Sequence, residues 1–183
     1  MNEIIYNAIK KIYIDKDYEY YKKKSKENLL LNKFFGNLEL VEGSMEVNVE
    51  KDQSIQWHFT LRKYKDIEYK TILYISKIIP IFYIQHEFAV KNNDPDKIEP
   101  VLDGFGGQPY TKKQAILEDY IKKIMHDLKY TEISYYEFNN YILSEKNGIL
   151  EILNGENYTT DSLLFNDMLD IVDWKYAQHF IRS

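Results

Sequence analysis

The chain has 183 residues, 44% of them hydrophobic and 29% charged, and carries a formal net charge of −5. That length suits a single domain over 1–183 with a core of ordinary size. Cysteine is absent, which excludes a disulfide scaffold, a thiolate zinc site and a cysteine nucleophile.

Charge is split along the chain. Residues 131–173 hold nine carboxylates against one base, Lys146, whereas residues 1–35 hold eight lysines against five acids. An acidic stretch mixed with aromatic and aliphatic residues is expected to fold and present a face that attracts basic partners and repels nucleic acid. The first residues lack the basic and apolar run of a secretion signal. The longest apolar stretch, 78–84, is too short to span a bilayer and contains Pro80. A cytoplasmic location without membrane contact is the expectation.

Residues 1–36 read as a helical segment. Ile4, Ile5, Ala8, Ile9 and Ile12 recur at spacings of three and four, one apolar stripe, and Gly36 marks a stop. Lys22, Lys23, Lys24 and Lys26 read as a solvated helix face. Over 37–90 the period changes to two. Met45 and Val47 alternate with polar residues, as do Ile55, Trp57, Phe59 and Leu61, while 69–77 and 81–90 are β-branched and aromatic. Pro80 belongs at a strand entry because it has no N–H for a ladder. Short connections predict an antiparallel meander of four or five strands over about 38–90, giving an α+β domain with an N-terminal helix and C-terminal helices.

Residues 91–110 are dense in turn formers and are expected as the main loop. The remainder, 111–183, is expected to be mainly helical. Thr111 with Gln114 and Ser134 with Glu137 have the capping-box form. Ile116, Tyr120, Ile124 and Leu128 then suggest the buried face of the first of these helices. A last helix opens near Thr160, with Leu163, Leu164, Phe165, Met168, Leu169 and Val172 on its buried side.

No motif in the chain carries known chemistry. His86-Glu87 lacks the second histidine of a helical zinc clamp, since position 90 is valine. The glycines at 104, 106 and 107 end in Gln108-Pro109, without the lysine and hydroxyl residue of a phosphate loop. Asn92, Asn93, Asp94, Asp96 and Glu99 do not follow calcium-loop spacing. No cofactor, metal or catalytic residue is therefore assigned. His58 and His86 would form a metal or acid–base site only if paired strands brought them face to face, which would suit a small enzyme or ligand-binding domain.

Two stretches resemble the immunity proteins of bacterial polymorphic toxin systems. One is Gly106-Gly107-Gln108-Pro109-Tyr110-Thr111-Lys112-Lys113-Gln114-Ala115-Ile116, leading into a helix; the other is Thr159-Thr160-Asp161-Ser162-Leu163-Leu164-Phe165-Asn166-Asp167. The resemblance implies a non-enzymatic cytosolic protein that neutralises a cognate toxin by stoichiometric complex formation. On that reading the expected partner contacts are Asp167, Asp170, Asp173 and Trp174 of the acidic stretch and Asp94, Asp96 and Asp103 of the loop. Neither nucleic acid nor membrane is expected as a partner.

Overall fold

Alternation along 54–64 gives a strand one apolar face, and the rest of the architecture follows from covering it. The computed structural model describes residues 2–27, 29–47, 53–94, 96–98, 100, 102–139 and 158–167. Five strands, β1 (Gly43–Val47), β2 (Ser54–Tyr64), β3 (Ile67–Ser76), β4 (Ile81–Val90) and β5 (Leu102–Gly106), pair in sequence order, each antiparallel to the next. A sixth, β6 (Thr131–Glu132), pairs in parallel with the start of β4. The molecule is an α+β fold on an antiparallel meander, and β4 begins directly after Pro80.

The two sheet faces bury separate cores. On the first, Trp57 and Phe59 of β2, Leu73 of β3 and Phe82 of β4 meet α3 (Asn32–Phe35) and the long helix α4 (Lys112–Asp127). Phe35 reaches in from α3, with its ring centroid 5.6 Å from Trp57 and 5.7 Å from Phe59. Each such side chain contributes about 1.5–3 kcal/mol relative to exposure. On the second face, Tyr74, Ile81 and Tyr83 are covered by α1 (Glu3–Ile9), α2 (Tyr18–Ser25), α5 (Tyr135–Phe138) and α6 (Thr160–Leu164). Hydroxyls lock α6 in place: Tyr13 donates to the Leu163 carbonyl at 2.8 Å and Ser76 to that of Leu164 at 2.7 Å.

Several expectations need correction. The loop assigned to 91–110 contains β5. Its glycine content disguised a strand: a Cβ on Gly104 would lie 2.6 Å from the Phe88 ring, so glycine is what lets β5 approach β4. The N-terminal helix is not continuous to 36. It passes from α1 into a π-helical turn, Lys10–Ile14, and breaks at Lys16, whose φ of 56° is left-handed. Ile4 is 46% exposed, and the buried stripe runs instead through Ile5, Ala8, Ile9, Ile12 and Tyr13.

The expected α4 set holds in part: Ile124 is in the core and Tyr120 packs against it. Ile116 is 52% exposed, Leu128 is exposed, and Leu117, Ile121, Ile124 and Met125 form the buried side. Strict spacings of four drift around a 3.6-residue helix, whereas the mixed threes and fours of the second set hold one face. Both expected capping boxes, Thr111 with Gln114 and Ser134 with Glu137, are present, and Thr159 with Ser162 caps α6 in the same way. The expected buried positions Met168, Leu169 and Val172 lie outside the described residues.

Gln114 joins helix to sheet. Its carboxamide oxygen accepts from the N–H groups of Tyr110 and Thr111 at 3.0 and 3.1 Å, and its nitrogen donates to the carbonyls of Lys70 and Glu87 at 2.9 and 3.2 Å. Replacing Gln114 by alanine strands all four groups and is expected to cost on the order of 2–3 kcal/mol in chemical denaturation. The Ile116→Ala variant should stay within about 0.5 kcal/mol of the parent. A large loss for Ile116→Ala with none for Gln114→Ala would reverse the assigned faces of α4.

Candidate functional site

The outer edge of β4 is shared by two short strands that do not meet. The β5 ladder covers β4 from His86 to Val90, and the β6 ladder covers Ile81 and Phe82. Between them, among the described residues, 83–85 has no strand alongside. The gap opens into a cleft of about 700 Å³. One wall is the chain leaving β5, with Phe105, Gly107 and Gln108; the other is the turn from β6 into α5, with Glu132, Tyr135 and Tyr136.

Aromatic residues rim this cleft. Phe105 is 63% exposed and Tyr136 73%, and Tyr135 is exposed beside them. Tyr83 forms the floor. Its ring stacks on Phe138 with centroids 4.3 Å apart, and its hydroxyl is buried without a hydrogen-bond partner among the described residues. Burial, followed by the neighbouring tyrosines Tyr135, Tyr74 and Tyr110, pushes that hydroxyl well above the usual phenol range, so it stays neutral.

A chain of charged groups runs from the core to the cleft mouth. Thr71 Oγ1 lies 3.0 Å from His86 Nδ1, and His86 Nε2 lies 3.1 Å from Glu118 Oε2. Lys122 Nζ then bridges Glu118 at 2.6 Å and Glu132 at 2.9 Å. Burial alone would lower the Lys122 ammonium, but hydrogen bonds to Glu118 and Glu132 reverse this and leave it raised. A neutral His86 satisfies both neighbours, with Nδ1 accepting from the Thr71 hydroxyl and Nε2–H donating to the carboxylate. Threonine, histidine and glutamate in this order resemble a nucleophile, base and orienting acid. Thr71 is 0% exposed, however, so its hydroxyl meets no substrate, and the chain acts as a clamp between α4, β4 and β6.

The residues expected at a partner site are scattered. Asp94 and Asp96 are exposed in the β4–β5 connection, where the Asn92 and Asp94 side chains accept from the N–H groups of Asp94 and Asp96. Asp103 is exposed on β5 opposite Ala89, two residues before Phe105 on the same strand face, and lines a separate hollow with Glu68, Lys70 and Phe105. Asp167 lies after α6 and accepts from the Tyr21 hydroxyl at 3.1 Å. Ser76, which anchors α6, follows the Ile75–Phe82 pair, and Phe82 is roughly 23 Å along β4 from Ala89. The loop aspartates and Asp167 thus lie toward opposite ends of the sheet. Asp170, Asp173 and Trp174 lie outside the described residues.

His58 and His86 do not face each other. His58 is paired with Ile72 of β3 and His86 with Thr71, so β3 stands between the two strands. Their neighbours give opposite parity. His86 shares its face with Phe82 and Ile84 under α4, whereas His58 points away from Trp57 and Phe59. No site uses both rings. Among the described residues, no group of three or more metal-ligating side chains converges.

Sequence reading missed the cleft because it draws on four separate segments. Only Glu118 and Lys122, an i,i+4 pair on a capped helix, left a local signal. Among the described residues, no helix is long and apolar enough to cross a membrane. Compared with known proteins, the chain matches no protein-family model, no curated protein and no solved structure.

The clamp has a pH signature. Burial holds His86 below its ordinary value, against an opposing pull from Glu118 and with a further lowering from Lys122. Folding therefore favours the neutral ring, a contribution complete above the unfolded value of about 6.5 and lost as pH falls through the lowered folded value. His58 is also held low by burial. Denaturation midpoints measured downward from neutral pH should fall for the parent and fall less for His86→Gln than for His58→Gln. Identical slopes for parent and His86→Gln would remove the assignment.

Proposed function

We propose that this protein is a non-enzymatic binding protein of the immunity type, which neutralises a cognate toxin in the cytoplasm by stoichiometric complex formation. The observation that carries the reading is the exposed aromatic rim of Phe105, Tyr135 and Tyr136 around an open cleft. Large aromatic side chains held in water at the mouth of a cleft suit an interface that is completed by another surface. The resemblance of 106–116 to immunity proteins bears on the same place, since Gly106, Gly107 and Gln108 line it.

Charge supplies the second part of the reading. Glu118 and Glu132 outnumber Lys122 inside the cleft, and Asp103 lies two residues before the rim residue Phe105. Asp94 and Asp96 extend the negative charge along the connection to β5. A basic loop on the toxin would be steered toward this edge, and the aromatic contacts would slow its release. Asp167, Asp170, Asp173 and Trp174 are a separate proposed contact. Asp167 already accepts from Tyr21, which gives it a structural role as well.

Co-expression with the product of the neighbouring gene, followed by size exclusion, is the test. A one-to-one complex that weakens with salt is expected. Tyr136→Ala should weaken it by about 2 kcal/mol, roughly 30-fold, without altering stability. Asp103→Lys should mainly slow association and flatten the salt dependence. A folded protein that captures no partner would sink the proposal. A complex disrupted by Asp167→Lys and indifferent to Tyr136→Ala would move the interface to the α6 end.

A further inference from the structure

The gap at the β4 edge leaves one peptide unit unmatched. Ile133 N–H donates to the Phe82 carbonyl, so the backbone groups of Phe82 point toward β6. Successive residues of a strand alternate direction, so the N–H and carbonyl of Ile84 point the same way, into the cleft. Neither ladder reaches Ile84, and no described backbone group bonds to it. Among the described residues, the rung between β5 and β6 is empty.

A second, independent feature lies beside it. The Tyr83 hydroxyl is buried, lines the same cleft and lacks a partner among the described residues, although a buried unpaired hydroxyl costs stability. Gly107 stands over it, and a Cβ there would lie 3.9 Å from the hydroxyl oxygen and 3.5 Å from Tyr135 Cβ. Glycine at this position keeps the approach to the hydroxyl open. The cleft's volume falls in the range of small ligand sites, about 300–1,000 Å³. Two carboxylates against one ammonium leave it a net negative charge.

We propose that the cleft is a peptide slot. One peptide unit of an extended segment fills the rung at Ile84, its neighbouring amide reaches the Tyr83 hydroxyl, and a lysine or arginine side chain of the segment lies toward Glu118 and Glu132. This is strand addition confined to one residue, with β5 and β6 as stops on either side. It rests on the binding reading above only for the identity of the protein that supplies the segment.

The test is titration of the ¹⁵N-labelled full chain with N-acetyl-Ala-Lys-Ala-amide, the matched glutamate peptide and free lysine. Saturable shifts are expected at the amides of Ile84, Gly107 and Ser134 with the lysine peptide. The glutamate peptide should bind about tenfold more weakly. Free lysine, which has the ammonium but no amide for the rung, should bind more weakly still. Tyr83→Phe should reduce affinity about 3- to 10-fold while leaving the melting temperature unchanged or higher, since it removes an unpaired buried hydroxyl. Gly107→Ala, which meets only ordinary contact distances and so should fold, should reduce affinity similarly.

Absence of shifts at these amides, equal binding of the lysine and glutamate peptides, or full affinity in Tyr83→Phe would each overturn the proposal. The two readings fail separately. Peptide binding without a partner complex would sink the toxin reading and leave the slot. A partner complex indifferent to Tyr83→Phe and Gly107→Ala would do the reverse.

Discussion

One buried carboxamide fixes where α4 lies, and the edge of the molecule depends on it. Gln114 accepts from the two N–H groups that precede its helix and donates to carbonyls on two different strands, β3 and β4. It therefore sets the height and rotation of α4 together. Glu118 and Lys122 follow it at spacings of four along the same helix. Once Gln114 is seated, Glu118 falls opposite His86 and Lys122 opposite Glu132. The charged wall of the cleft is thus a continuation of the helix cap.

The same placement explains the division of the β4 edge. An exposed strand edge invites pairing with other chains, and proteins commonly cover it or keep it short. Here β5 covers one end and β6, tied to α4 through Lys122 and Glu132, covers the other. The two have opposite directions relative to β4, so they cannot merge into one ladder. A gap one rung wide remains where they fail to meet. Its walls come from segments that each have another structural duty.

The local signals in the chain were mostly true, and the long-range ones were not readable. Alternation at Ile55, Trp57, Phe59 and Leu61 identified β2 and its buried side, and Thr111-Lys112-Lys113-Gln114 marked the start of α4 to the residue. These depend on neighbours within a few positions. β5 escaped notice because the residue it needs against Phe88 is glycine, which read as a turn. The histidines show the limit most clearly. His58 and His86 each sit on a recognisable strand, yet which face each takes follows from registers across β3, a three-strand relation that composition does not encode. The cleft demands still more, since Tyr83, Phe105, Lys122, Glu132 and Tyr135 come from five different elements.

The Gln114 bridge also bears on how the chain acquires its structure. Its two acceptor carbonyls lie 44 and 27 residues earlier in sequence, on strands that are themselves a hairpin. Those two bonds form only when β3 and β4 are already paired, whereas the capping box of α4 is local to residues 110–114. Loop closure over such distances is entropically slow, which places helix docking after hairpin formation. Native-state hydrogen exchange should therefore show the amides at the start of α4 and those around the Lys70–Glu87 pair of the β3–β4 hairpin opening as one cooperative unit, although they lie in different layers of the fold.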